Sequence, residues 1–387
     1  MKFSDRILKI KPSATLKAAA KARELKAKGV QVIDFTVGEP DFNTPEKIKE
    51  ACKKALDENF TRYAPVPGFP ELRQSICNYL KREFGLAYKP EEIIATAGAK
   101  HAIYAALQVL INPGDEVIIP APYWVSFYDQ VLLTGGKPVV IKTDDTTGFK
   151  MTPRQLEQNI GPKTKLLILN TPSNPTGSCY SGEELKKFGD ICAGKNILVL
   201  SDEIYAKLTY DGFKHVSFVT ACPEMREKTI LVNGASKSYA MTGWRIGFAA
   251  APKEIIDKMQ ILQSQEVTSV PTFIMRASIT AFNDCDKEVE AMRREFEKRR
   301  DVAFAGLSKI KGVTCYKPSG AFYLFPNVKA FKKSSEEIAE LLLEEAHVAV
   351  VSGESFGAPG YLRVSYATDI PSIEMGIDKM KKTLEKL

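Results

Sequence analysis

The sequence has little that suits a metal, a disulfide frame or a membrane. Its three histidines, His101, His215 and His347, lie far apart and near no cysteine pair, so the common zinc-ligand spacings are missing and no metal site is expected. Its seven cysteines (Cys52, Cys77, Cys179, Cys192, Cys222, Cys285 and Cys315) are odd in number, widely spaced and without a CxxC pair. They read as reduced thiols of a cytoplasmic protein. Apolar runs such as Ile197–Leu200 and Phe248–Ala251 fall far short of the ~20 residues that a bilayer span needs. Residues Met1 to Thr15 show neither the apolar stretch nor the small-residue cleavage site of a secretion signal. No basic block with interleaved aromatics occurs either. The 54 Lys+Arg and 47 Asp+Glu, net +7, alternate along helical stretches such as Glu288–Arg300, which is a solvated face and not a nucleic-acid footprint. Neither a GxGxxG nor a P-loop spacing follows any strand-like run, which argues against a dinucleotide or nucleotide fold.

What is present is an ordinary globular balance, 44% hydrophobic and 26% charged over 387 residues. At ~150 residues per domain this length allows two or three domains. From about residue 90 to 265, strand-like runs (Glu92–Ala97, Glu116–Pro120, Pro138–Lys142, Lys165–Asn170, Asn196–Ser201, Thr229–Asn233 and Arg245–Ala250) alternate with helical patterns. Several are apolar on consecutive positions, as in parallel strands covered on both faces. One helical stripe comprises Ala102, Ile103, Ala106, Leu107 and Leu110, and Ser181 with Glu184 forms a capping box. The alternation predicts a doubly wound α/β sheet. Beyond residue ~270 a long charged helical stretch to about Ser308, short strands (Ala321–Phe325, Val348–Val351, Tyr361–Ser365) and helices near Ser334–Ala346 and Pro371–Leu387 predict an α+β lobe. The first ~45 residues, with a helix over Ala14–Lys28, have no sheet of their own and are expected to pack on that lobe.

Ligands of open α/β sheets bind beyond the carboxyl ends of the strands. Polar residues stand there: Asn170-Thr-Pro-Ser-Asn-Pro-Thr-Gly177, Asp202-Glu-Ile-Tyr205, Gly234-Ala-Ser-Lys237 and Gly98-Ala-Lys100. The last opens a helix, whose N-terminal N–H groups suit a phosphate, although a plain strand-to-helix turn would read the same. Lys237 ends an apolar strand among small residues, a setting that desolvates an amine, lowers its pKa and makes it nucleophilic. A lysine, a carboxylate (Asp202), a phenol (Tyr205) and a helix N-terminus are the set that pyridoxal phosphate requires. From spacing alone a structural Lys237–Asp202 ion pair fits equally well.

The stretch Gly234-Ala-Ser-Lys-Ser-Tyr-Ala-Met-Thr-Gly-Trp-Arg-Ile-Gly247 resembles the cofactor-attachment signature of class I and II aminotransferases. The likeness extends in order through Lys11-Pro-Ser-Ala-Thr15, Val37-Gly-Glu-Pro-Asp-Phe42, Arg62-Tyr-Ala-Pro65 with Gly68 and Pro70-Glu-Leu-Arg73, Pro122-Tyr-Trp-Val-Ser126, Asn174-Pro-Thr-Gly177, Ser201-Asp-Glu-Ile-Tyr205 and Arg363-Val-Ser-Tyr-Ala367. Together these resemble the bacterial and archaeal, aspartate aminotransferase-like branch. The resemblance implies fold type I of pyridoxal-phosphate enzymes: a mostly parallel central sheet with helices on both faces, plus a smaller α+β domain. The expected large domain is 46–285, and the expected small domain is 1–45 with 286–387.

The resemblance also implies residue roles. Lys237 bonds the cofactor aldehyde and moves the substrate's α proton. Asp202 keeps the pyridine nitrogen protonated, while Tyr205 and Asn174 bond its ring oxygen. Trp124 stacks on the ring; Ala99, Lys100 (through its backbone), Ser236 and Arg245 hold the phosphate. Tyr63 reaches the same phosphate from a partner subunit, which makes the active form a homodimer with shared sites. Arg363 clamps the substrate α-carboxylate, which Gly38 approaches through its backbone. Lys100, Ser13 and Thr15 face the substrate side chain. The implied reaction passes the amino group of L-aspartate to 2-oxoglutarate; prephenate, aromatic amino acids and alanine are the alternatives. Without the resemblance, Trp124 would read as a core residue, Arg363 as a surface arginine, and Lys11 and Lys100 as solvated lysines.

Overall fold

The computed structural model describes the backbone of residues 1–10 and 14–387, and the side chains of these apart from residues 14–17. Seven strands form the central sheet, in the spatial order Ile93–Thr96, Gly247–Ala250, Thr229–Gly234, Leu198–Asp202, Thr164–Asn170, Glu116–Ala121 and Lys137–Lys142. All pairings are parallel except those of Gly247–Ala250, which runs antiparallel to both neighbours.

The consecutive apolar positions have the cause expected of them, since both faces are covered. Val117, Ile119, Leu166, Ile168, Leu200, Ile230 and Val232 pack with Ala102, Ile103, Ala106 and Leu107 of the helix Ala99–Leu110. Ile118, Leu167, Leu169 and Val199 point the other way, onto Leu185, Phe188 and Cys192 of the helix Gly182–Gly194. That helix begins at Ser181 with the capping box read from the sequence: Ser181 Oγ accepts from Glu184 N–H, and a Glu184 oxygen accepts from Ser181 N–H.

The remaining sheets are small. Leu362–Ser365 pairs antiparallel with Val351–Ser352 and with Tyr323–Leu324. Ile33–Asp34 pairs parallel with Val348–Ala349, so the N-terminal segment does contribute a strand, one too short to show as a pattern. Phe35 carries that segment into the core under the helices Asp286–Leu307, Ser335–Glu345 and Ile370–Leu384. The helical stretch read as one unit beyond residue 270 is two helices, Thr272–Asp284 and Asp286–Leu307, interrupted at Cys285, whose φ of −116° and ψ of 22° are not helical.

One pairing fixes the site. Gly234 stands opposite Gly247. A Cβ at 234 would lie 2.7 Å from the Gly247 Cα, so only glycine lets the two backbones approach. The residues between them form a loop tied at both ends to adjacent strands, and Lys237 is on that loop.

Candidate active site

A cavity of about 540 Å³ opens at the carboxyl ends of the central strands, between the two sheet systems. It gathers eleven of the residues named from the sequence: Gly38, Ala99, Lys100, Trp124, Asn174, Asp202, Tyr205, Ser236, Lys237, Arg245 and Arg363. Tyr63 is not among them. It is 94% exposed and lies on the rim of a separate depression lined by Arg62 and Val267–Phe273. Ser13, and Lys11 with it, fall outside the described residues, as does the side chain of Thr15.

Lys237 and Asp202 do not form an ion pair. The lysine Nζ donates instead to the Gly38 carbonyl at 2.5 Å. Desolvation, helped by the nearby guanidinium groups of Arg363 and Arg245, lowers its pKa to about 8. Asp202 ends its strand with its carboxylate buried and, among the described residues, one partner, the Ile204 N–H at 3.2 Å. Burial pushes its pKa up to about 7, the condition of an anion lacking the cation its place calls for.

The opposite wall is built by Arg363, which is 3% exposed although arginine is mostly a surface residue. Its strand Leu362–Ser365 is buried along its whole length: Leu362 and Val364 lie in the core, and Arg363 lines the cavity. The guanidinium donates to the Thr36 carbonyl at 2.7 Å and to Asn174 Oδ1 at 3.1 Å. It lies 4.6 Å from the Tyr323 ring centroid and 5.2 Å from that of Phe356. Its Nε is buried and has no partner among the described residues. Because Asn174 spends its oxygen on Arg363, its amide N–H groups are left for the cavity. Tyr205 shares a 2.9 Å hydrogen bond with Tyr323, and burial raises the pKa of its hydroxyl well above the usual value.

At the other end, Gly98 takes a φ of 84° at the start of the helix Ala99–Leu110. A Cβ there would stand 2.5 Å from Arg245 Nη2. Arg245 donates to Thr242 O at 2.8 Å and to Ala97 O at 3.2 Å, which holds its guanidinium over the helix N-terminus beside Ser236. Lys100 lies with its Nζ 4.8 Å from the Trp124 ring centroid. Partial desolvation and Arg245 lower its pKa. Gly38 does not owe its glycine to crowding within the chain, since a Cβ would sit 3.4 Å from Tyr323 Oη, an ordinary contact.

The cavity also has walls to which the sequence assigned no individual role: Arg23, Asp34, Thr36, Glu39, Asn170, Thr242 and Tyr323. Asn170 carried a signal, since it is the last residue of its strand, bonds the Asp202 carbonyl and accepts from Asn174 N–H. Tyr323 carried none, because it sits inside an apolar run.

The profile of the family described as aminotransferase class I and II matches residues 30–380. An aspartate aminotransferase of Geobacillus stearothermophilus is 47% identical over 390 residues, covering 100% of this chain and 99% of that protein. A probable aspartate/prephenate aminotransferase of Aquifex aeolicus is 44% identical, covering 100% and 99%. The crystal structure of the aspartate aminotransferase from Rhizobium meliloti superposes with a TM-score of 0.97 at 37% identity over 100% of both chains. That of Thermus thermophilus with maleate gives 0.95 at 40% identity over 99% and 100%. The chain belongs to the class I and II aminotransferases. It is a pyridoxal-phosphate-dependent transaminase of fold type I.

The cavity suits that cofactor on its own terms. Asp202 is a buried carboxylate short of a cation, Lys237 is an amine with a lowered pKa, and Gly98 leaves Arg245 beside a helix N-terminus able to take a phosphate.

Proposed function

We propose that the chain transfers the amino group of L-aspartate to 2-oxoglutarate in a ping-pong reaction, releasing oxaloacetate and then L-glutamate. The observation that carries this reading is that one cavity gathers Lys237, whose pKa burial lowers to about 8, with the buried Asp202 and the buried Arg363. When bound, pyridoxal phosphate supplies an aldehyde for the amine and a cationic ring that withdraws electrons from the substrate Cα.

The protein's part is to hold and to move protons. Asp202 keeps its negative charge against the ring nitrogen. Tyr205 and the Asn174 amide donate to the ring oxygen, and Trp124 covers the ring. Ala99 and Lys100 N–H groups, Ser236 and Arg245 bind phosphate oxygens. Arg363, whose Nε has no partner among the described residues, takes the substrate α-carboxylate, and Gly38 lines the same cavity. That clamp would direct the Cα–H at Lys237 Nζ, which would accept the proton from Cα and deliver it to the cofactor's C4′ carbon. Lys100 would face the distal carboxylate. The maleate of the Thermus thermophilus relative is likewise a dicarboxylate, which supports an acidic substrate. The exposure of Tyr63 supports its serving the phosphate of a second copy, in a homodimer with shared sites. The same reading divides the chain into a large domain at 46–285 and a small one at 1–45 and 286–387, in a cytoplasmic protein. No helix among the described residues is long and apolar enough to cross a membrane.

The purified holoenzyme is expected to show an absorbance band that sodium borohydride removes and L-aspartate converts. Lys237→Ala should lose turnover by about 10⁴-fold or more in both half-reactions. Near-normal turnover by that variant would refute the assignment. A second reading, aspartate together with prephenate, draws on relatives named for both at 43–44% identity. A panel of amino donors separates them, and aspartate turned over no better than alanine or phenylalanine would end the acidic-substrate reading of Lys100.

A further inference from the structure

The helix Ala99–Leu110 begins without the usual polar cap. Its N-cap residue is Gly98, which has no side chain to accept a hydrogen bond. The turn before the helix is instead held by a side chain of the helix itself. His101, the third helical residue, turns its imidazole back so that Nδ1 accepts the Ala97 N–H at 3.3 Å, while its own backbone N–H donates to Gly98 O at 3.1 Å. Its Nε2 lies 2.9 Å from Glu266 Oε2 at the end of the helix Lys253–Glu266. The two contacts require one tautomer: Nδ1 accepts, so Nε2 carries the proton and donates to the carboxylate. Ala97 is thereby held from both sides, with its N–H on His101 and its carbonyl on Arg245 Nη2 at 3.2 Å. The Gln130 amide fixes the next turn through the Lys100 carbonyl at 3.1 Å.

The imidazole acts like the third-position side chain of a capping box, displaced by one residue: it accepts the N–H of Ala97, the residue before the N-cap, and so ties down the turn that leads into the helix. A glutamate, the common choice at the third position, would accept a backbone N–H equally well. It would also put a negative charge in the first turn of a helix whose free N–H groups face Arg245 and the cavity. A neutral imidazole closes the turn and leaves the helix end positive. We propose that His101 is a positioning residue for the cofactor phosphate: it fixes the Thr96–Gly98 turn, and with it the Ala99 and Lys100 N–H groups and Arg245, without adding charge. The inference rests on the reading of this helix end as the phosphate subsite.

Binding to the apoprotein tests it with three probes: pyridoxal phosphate, inorganic phosphate, and pyridoxal, which lacks the phosphate. His101→Leu is expected to weaken the first two by about five- to tenfold, the effect of freeing one backbone group from its partner, and to leave pyridoxal within twofold. His101→Gln, which keeps a neutral acceptor, should restore wild-type affinity. Unchanged phosphate binding by His101→Leu overturns the proposal, and so does an equal loss for pyridoxal, which would mark a merely structural role. If His101→Leu does not fold, His101→Glu decides: it keeps an acceptor and should weaken inorganic phosphate at least about tenfold through charge, and unchanged affinity again overturns the proposal. Failure of the wild-type protein itself to bind pyridoxal phosphate would instead strike the functional reading.

Discussion

The two walls of the cavity are made differently. Asp202 and Asn170 stand at the ends of strands that share a parallel ladder from Leu166↔Leu198 to Asn170↔Asp202, inside a seven-stranded sheet. Arg363, Tyr323 and Thr36 stand on or beside strands of two to four residues. That wall relies on side chains: the guanidinium on the Thr36 carbonyl and Asn174, over two aromatic rings, and Tyr323 on Tyr205. A long ladder fixes its carboxyl end through many hydrogen bonds, whereas a wall of short strands has few and can adjust at low cost. The wall that would face the cofactor is thus stiff, and the wall that would face the substrate is assembled from contacts that can be remade.

Four experiments sharpen or break this contrast, in order of effect. Asp202→Asn removes the charge from the stiff wall and should lower kcat by about 10³-fold or more, measured at saturating substrate. Its effect on stability should be opposite in sign. The folded-state pKa of Asp202 is raised to about 7, against ~3.9 unfolded, so the apoprotein is penalised increasingly from pH ~4 upward and fully above about 7. Apo Asp202→Asn should therefore melt higher than wild type at pH 8 and close to it at pH 4; a lower midpoint at pH 8 would show that the carboxylate is stabilising. Arg363→Leu should cost about 10²–10³-fold in kcat/KM for amino and oxo acids alike, because both present the same carboxylate. Loss confined to one substrate class would contradict the clamp. The rate of pyridoxal phosphate attachment to the apoprotein should rise about tenfold per pH unit and level near pH 8, where Lys237 Nζ becomes neutral. Continued rise toward the ordinary lysine value of ~10.4 would mean that the amine is solvated. Tyr323→Phe removes one hydrogen bond bridging the walls and should cost about fivefold, read as a change in the pH profile of the bound cofactor's absorbance.

The stiff wall was legible in the sequence and the adjustable one was not, for a physical reason. Strand ends are marked by a change from apolar to polar residues, and Asn170, Asp202 and Gly234 all stand at such changes. Thr36 meets Arg363 across 327 positions, and Tyr205 meets Tyr323 across 118, so no local pattern announces either contact. Arg363 was found only through its motif; by alternation it reads as an exposed side chain, whereas the cavity and two rings enclose it. The break at Cys285 lacks glycine and proline, so the two helices ran together in the pattern.

The glycine pair that closes the loop around Lys237 bears on how catalysis can move. With both ends of the loop stitched to neighbouring strands, the amine cannot travel with its backbone; it sweeps only the arc that its own four methylenes allow. Whatever distance opens or closes during turnover must therefore be covered by the reactant and by the arginine side of the cleft, while the lysine acts as a fixed pivot.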